Sequence, residues 1–209
     1  MNMSNKNKIV SIELTYNEKI NEVIKNVIKM IFERQQLYNI INFNDTFNNI
    51  KKNYDINNES IKFTINNIDY VIKIINRSIT GRKIEDIEQI IDMYKNDYKF
   101  LIVQSINIKN TDLLNKINNL EIFTIDELLV NIIDHHLVPK HRLLNNNEKD
   151  KFLEEYDIKS KNLPRIYVTD PIARYYNAKI GDIMEIERYT PNSGKSIIYR
   201  TVVNGQIVK

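Results

Sequence analysis

The stretch I-K-F-T-I-N-N-I-D-Y-V-I-K-I-I, residues 61–75, decides the fold class. Ile61, Phe63 and Ile65 alternate with Lys62, Thr64 and Asn66, the period of two that a half-buried strand requires. Asn66-Asn67 separates this run from Ile68 to Ile75, and two such runs around a two-residue polar turn predict a β-hairpin.

On the N-terminal side the period is helical. Thr15-Tyr16-Asn17-Glu18 has the spacing of a capping box, and Ile20, Ile24, Val27, Ile28 and Ile31 follow at steps of three and four. A shorter helix with Phe47, Ile50 and Tyr54 on one side is predicted before the hairpin. Beyond it, Ile84, Ile87, Ile90, Ile91 and Tyr94 return to helical spacing. Tyr98 to Gln104 is almost continuously apolar, as a strand covered on both faces must be. A helix with Leu113, Leu114 and Ile117 and a strand over 120–123 are predicted next. A second capping box, Thr124-Ile125-Asp126-Glu127, opens a helix carrying Leu128, Leu129 and Ile132. Helices, then a hairpin, then β-α-β-α predict one α+β or α/β domain over residues 1–134.

The remainder, residues 135–209, predicts a small second domain. Asn145-Asn146-Asn147 precedes a helix with Phe152, Leu153 and Tyr156. Asp170-Pro171 supplies a cap and a proline at the first helical position, and Asn177 suits the left-handed helix end. Ile183 to Arg188 alternates, turns through Asn192-Ser193-Gly194 and returns as Ile197 to Val203, a C-terminal hairpin. A domain of this size is near the lower limit for independent stability, so it is expected to lean on a partner.

Composition narrows the chemistry. The chain has 209 residues and no cysteine, which removes disulfides, cysteine-bound zinc, iron–sulfur clusters and thiol catalysis. No apolar run approaches the roughly 18 residues that span a bilayer, and the first residues lack a secretory h-region. An intracellular protein, or one carried in a particle made in a cell, is therefore expected. The net charge of +3 is too mild for a general polyanion binder. Ile, Asn and Lys fill about 90 positions and Gly with Pro only eight, which reads as an A/T-rich genome.

No catalytic constellation emerges. His135, His136 and His141 are the three histidines, but adjacent side chains diverge, so a structural turn is expected rather than a metal site. No phosphate-binding glycine loop and no nucleophile elbow is present. A metal-dependent nuclease needs a carboxylate two residues before a lysine on one strand. Asp69 and Lys73 fail this because Val71 stands two before Lys73, and Glu59 and Lys62 fall on opposite strand faces.

The runs H-H-L-V-P-K-H (135–141), L-P-R-I (163–166), D-P-I-A-R-Y-Y (170–176), G-D-I-M-E-I-E-R (181–188) and I-I-Y-R (197–200) together resemble RNA polymerase subunit 5. This is the shared subunit of eukaryotic nuclear polymerases, and its C-terminal part is similar to the short archaeal counterpart. The resemblance implies an α+β protein whose N-terminal jaw has a nuclease-like fold without an active site, followed by a small α+β assembly domain. It implies a non-catalytic subunit, without cofactor, metal, membrane or small-molecule substrate, that docks on the largest polymerase subunit and helps position downstream duplex DNA. The DNA-side loop would present Asn107, Lys109, Asn110 and Thr111.

Candidate partner-interface residues are His135, Leu137, Val138, Pro139, His141, Pro164, Arg165, Arg174, Tyr175, Arg188 and Arg200. Leu137-Val138-Pro139 suits a rigid connection, and Arg165 points outward if Ile166 points inward. Each of Arg174, Arg188 and Arg200 either meets a partner or satisfies a local carboxylate or helix end. Tyr175 and Tyr199 are expected in the core with their hydroxyls at the rim. The residue usage and the divergent jaw fit a large-DNA-virus version, in the virion and host cytoplasm, or a nuclear version from an A/T-rich cellular genome. The rival reading is a nuclease-fold enzyme or a stand-alone DNA-binding protein.

Overall fold

The computed structural model describes residues 14–55, 59–79, 94–106, 117–190 and 194–205. The predicted helix with Ile84, Ile87, Ile90, Ile91 and Tyr94, apart from Tyr94 itself, and most of the one around Leu113 and Leu114 lie outside these residues. The chain divides into two compact units, Met1–Phe32 with Leu37–Val130, and Glu33–Gln36 with Asn131–Lys209. Both are mixed α and β, each built on a four-stranded sheet, as the α+β expectation requires. Among the described residues no helix is long and apolar enough to cross a membrane.

In the first unit, α1 (Tyr16–Arg34) starts at the predicted capping box: Glu18 Oε2 accepts from Thr15 N at 2.7 Å, and Glu18 N donates to Thr15 Oγ1 at 3.4 Å. Ile20, Ile24, Val27, Ile28 and Ile31 are all buried. Helix α2 (Phe43–Lys52) is capped by Asn42 and buries Ile50, but it ends before Tyr54, which falls in the following loop.

Strands β1 (Ser60–Ile65) and β2 (Ile68–Ile79) form the hairpin, with Ile65 paired to Ile68. Asn66 and Asn67 have φ of 49° and 61°, the left-handed pair of a type I′ turn, whose twist matches that of the strands. The alternation predicted for 61–65 is the observed one, with Ile61, Phe63 and Ile65 buried. Parallel to β2 runs β3 (Tyr98–Ile106), and parallel to β3 runs β4 (Leu120–Thr124). With a neighbour on each side and covered faces, β3 buries residues 99–103 in succession. One of these is Lys99, 5% exposed, whose Nζ donates to Asp97 O at 2.7 Å and Lys95 O at 3.4 Å. Burial holds its ammonium below the usual lysine value.

The second capping box opens α3 (Ile125–Leu129) with both reciprocal bonds formed. This helix stops earlier than expected. Ile132 falls in a separate 3₁₀ turn, Ile132–Asp134, because the backbone at Val130 is extended. Buried Asn26 of α1 ends the helix from outside, its Nδ2 donating to Leu128 O at 2.8 Å and Leu129 O at 3.3 Å. Those carbonyls belong to the last turn and lack intrahelical partners.

The second unit has strand order β5-β7-β8-β6, where β5 is Lys140–Leu143, β6 Arg165–Tyr167, β7 Ile183–Thr190 and β8 Gly194–Val203. The predicted C-terminal hairpin is β7–β8, antiparallel; β5 flanks β7 antiparallel and β6 flanks β8 in parallel. Consecutive residues Ile183 and Met184 are both fully buried because the sheet is covered on both sides. Ile183 packs with Leu144 and with Phe152 of α4 (Asn146–Glu155). Met184 packs with Ile166, Val202 and, from α5 (Pro171–Tyr175), Ile172 and Ala173. Tyr156 closes α4 as its C-cap and is exposed, whereas Phe152 is buried.

Helix α5 has the predicted ends. Asp170 Oδ1 accepts from Ile172 N at 2.8 Å, and Pro171 occupies the first helical position. At the far end Asn177 has φ 50°, Asn177 N donates to Arg174 O and Ala178 N to Ala173 O, both at 2.9 Å, which is a Schellman motif.

Candidate partner interface

Strand pairing distributes the polar residues of the second sheet over its two faces. Because antiparallel partners share a face, Arg142, Glu185 and Tyr199 lie side by side, as do Lys140 and Glu187. This face is internally matched. Arg142 Nη2 meets Glu185 Oε2 at 3.1 Å and Arg142 Nη1 meets Glu148 Oε1 at 2.6 Å. Tyr199 donates its hydroxyl to Glu185 Oε2 at 3.2 Å, and Lys195 pairs with Glu187 at 2.7 Å. Hydrogen bonds from Asn145 and Arg142 hold the Glu148 carboxyl below its usual range. The motifs of the sequence do not single out this network. The alternation of charges in K-H-R-L and M-E-I-E is its one visible signal.

The other face carries several of the predicted interface residues. His141, Ile186 and Ile198 form one cross-strand row, Leu143, Met184 and Arg200 the next, and Arg188 with Ser196 the row on the other side. His141 Nδ1 lies 2.6 Å from Pro139 O. A carbonyl only accepts, so Nδ1 carries the proton and Nε2 is left as an acceptor. Burial chiefly lowers the His141 pKa, and the guanidinium groups of Arg188 and Arg200 add to this against Pro139 O and Asp170. Arg188 is exposed and Arg200 half-buried; Arg200 Nη1 donates to Arg165 O at 3.4 Å. The Nε of Arg200 is buried and has no hydrogen-bond partner among the described residues.

The remaining candidates scatter. Ile166 is buried and Arg165 exposed, as expected, and Pro164 is exposed with its carbonyl accepting from Thr201 N at 2.8 Å. Arg174 is half-buried on α5. Tyr175 is 6% exposed and its hydroxyl is buried too, so the expectation that this hydroxyl reaches the rim is corrected; that of Tyr199 ends on Glu185 instead. His135 and His136 stack at 4.8 Å in an exposed turn, where Leu137 N donates to His135 Nδ1 at 3.2 Å and Val138 N to His135 O at 2.8 Å. Leu137 is 74% exposed, whereas Val138 packs against the Met184 cluster. Among the described residues no group of three His, Asp or Glu is placed to hold a metal ion.

In the first unit, Asp69 accepts from Thr64 Oγ1 at 2.6 Å and Lys62 pairs with Asp97 at 2.8 Å, so neither serves a carboxylate–lysine pair on one strand. Asn107, Lys109, Asn110 and Thr111 lie outside the described residues.

Comparison with known proteins bears on the same segment. The family described as RNA polymerase Rpb5, C-terminal domain, matches residues 130–202. The DNA-directed RNA polymerase subunit Rpo5 of Methanothrix thermoacetophila is 45% identical over 71 residues, 34% of this chain and 91% of that protein. Its counterpart in Thermofilum pendens is 43% identical over 74 residues, 35% of this chain and 92% of the relative. The rpabc1 subunit of RNA polymerases I, II and III from Dictyostelium discoideum is 48% identical over 84 residues. That match covers 40% of this chain and 43% of the relative, so the similarity spans less than half of this longer protein.

Proposed function

Because the chain belongs to the Rpb5/Rpo5 family of DNA-directed RNA polymerase subunits, we propose that it docks on the largest subunit of its polymerase through residues 135–209 and contributes no catalysis. The observation that supports this reading is the extent of the matches: the C-terminal-domain family model covers residues 130–202, and 71 residues of this chain match 91% of an archaeal relative. Residues 1–134 are then the jaw, a nuclease-like fold without an active site. It holds downstream duplex through few, sequence-indifferent phosphate contacts, with Lys109 as the charged one. The protein works where its polymerase works: virion and host cytoplasm if virus-encoded, nucleus if cellular.

Affinity purification of the tagged full chain from its native source tests the docking reading. The largest polymerase subunit is expected to accompany it, and residues 135–209 are expected to suffice. Recovery of the chain without polymerase subunits would overturn the assignment. For the jaw, Lys109→Glu in the assembled enzyme is expected to weaken retention of downstream duplex at moderate salt without changing promoter choice. One phosphate contact changes the salt slope of binding by about one unit. Unchanged retention across the salt series would remove DNA from this reading.

A further inference from the structure

We infer that Asn204-Gly205, just past the last paired residue of β8, is a site of spontaneous deamidation that turns the Asn204 side-chain amide into a carboxylate. The site lies beyond residues 130–202, the segment that matches the polymerase-subunit family.

Packing and chemistry make opposite demands at this position. Of the chain's four glycines, only Gly205 follows an asparagine. Packing requires a glycine there: a Cβ on Gly205 would lie 3.1 Å from both Cγ and Cδ1 of Tyr167 and 3.2 Å from its Cβ. The same missing Cβ leaves the Gly205 nitrogen unshielded toward the Asn204 side chain. Asn204 is exposed and stands outside the strand ladder, whose last pair is Tyr167 with Val203. Among the described residues, neither the Asn204 side chain nor the Gly205 N–H is engaged in a hydrogen bond. Other asparagines are held or shielded. Asn42 and Asn145 cap helices through their side-chain oxygens, and Asn26 is buried with its Nδ2 donating to Leu128 O. Asn66 and Asn177 precede Asn67 and Ala178, whose Cβ atoms crowd the following nitrogen, and buried Asn131 precedes the β-branched Ile132.

The reaction needs only water as co-reactant. The Gly205 nitrogen gives up its proton and attacks Asn204 Cγ. A C–N bond forms, the Cγ–Nδ2 bond breaks and ammonia carries the proton away, leaving a cyclic succinimide. Water then opens the ring at either carbonyl. Opening at Cγ restores the ordinary backbone with a side-chain carboxylate. Opening at the backbone carbonyl routes the chain through Cβ and Cγ, an isoaspartyl linkage longer by a methylene. Both products carry a negative charge where the parent has none, and the need to deprotonate the attacking nitrogen makes the rate rise with pH. The longer linkage displaces Gly205 from the Tyr167 ring, at the end of edge strand β6, where Val168 N donates to Val203 O at 2.9 Å.

The test incubates the full folded chain at neutral and at mildly alkaline pH and follows its tryptic peptides by mass spectrometry. The peptide Thr201–Lys209 is expected to exchange its amide NH₂ for OH before the peptides carrying Asn66 or Asn177 do, and faster at the higher pH. Two products separable by chromatography are expected, and the isoaspartyl one should accept a methyl group from an isoaspartyl methyltransferase. Asn204→Gln is expected to lose the new acidic form and, because Asn204 is exposed, to keep the parent's thermal midpoint. Gly205→Ala is expected to slow the reaction. Since its Cβ also crowds Tyr167, the slowing should persist in urea, where that packing is gone. Conversion at Asn204 no faster than at Asn66 or Asn177 would overturn the inference. So would an acidic form that persists in Asn204→Gln, or a site that stays intact in the folded chain and reacts only in urea.

Discussion

Arg142 and Glu185 face each other across β5 and β7 as a two-pronged pair, with Nη2 to Oε2 at 3.1 Å and Nε to Oε1 at 3.3 Å. The third nitrogen of the same guanidinium reaches Glu148 at 2.6 Å, so one side chain ties the edge strand, the central strand and α4 together. A planar fork with several donors can do this; an ammonium cannot.

Arg142→Ala should destabilise the second unit. The Arg142 side chain is 41% exposed, so solvent screening reduces the effect, and about 1–2 kcal/mol is expected. Arg142→Lys should recover less than half of that loss. Urea unfolding of the three proteins checks the order, and an Arg142→Lys protein as stable as the parent would contradict it.

The Asn66-Asn67 turn makes a separate claim on the hairpin. Both residues are left-handed, which glycine tolerates best and β-branched residues worst. Asn67→Gly should leave stability unchanged or raise it by up to about 1 kcal/mol, whereas Asn66→Val should cost about 1–2 kcal/mol. Thermal midpoints of the full chain decide between them.

His141 should make stability pH-dependent in a defined direction. Its pKa in the folded chain lies below 6.5, mainly through burial, so below 6.5 the unfolded chain takes up the proton first. Stability is therefore intact above 6.5 and declines as pH falls through the folded-state value. This decline starts above the range of Glu148 and Glu187, whose pKa values are lowered from 4.5. His141→Gln should flatten the curve between 6.5 and the carboxylate range. A parent protein whose urea midpoint is constant there would refute the assignment.

The isolated chain should not cleave duplex DNA with Mg²⁺ or Mn²⁺. Asp69 is held by Thr64 and Lys62 by Asp97, leaving no carboxylate–lysine pair of nuclease geometry among the described residues. Metal-dependent cleavage that survives repurification and vanishes in Asp69→Ala would overturn this.

Local signals made much of the fold legible in the sequence. The helix opened by Thr15 and Glu18, the hairpin around Asn66-Asn67 and the ends of α5 at Asp170 and Asn177 each rest on interactions within a few residues. The extent of α3 was not legible. Ile132 keeps the helical spacing, but extended Val130 intervenes and Asn26, about a hundred residues away in sequence, takes the helix's last carbonyls. Lys99 was equally opaque, an interruption in an apolar run that turns out to be buried and satisfied by backbone oxygens.

What the sequence determined by itself is the family and the order of elements, because periodicity, caps and the runs after His135 are properties of neighbouring residues. Which polar residues act together was decided by tertiary structure. Arg142 finds Glu185, and His141 shares a sheet face with Arg188 and Arg200, through the register of β5, β7 and β8. Register is set by backbone pairing, which for β5 and β7 joins residues more than forty positions apart, and a shift of one residue would exchange the matched face for the cationic one.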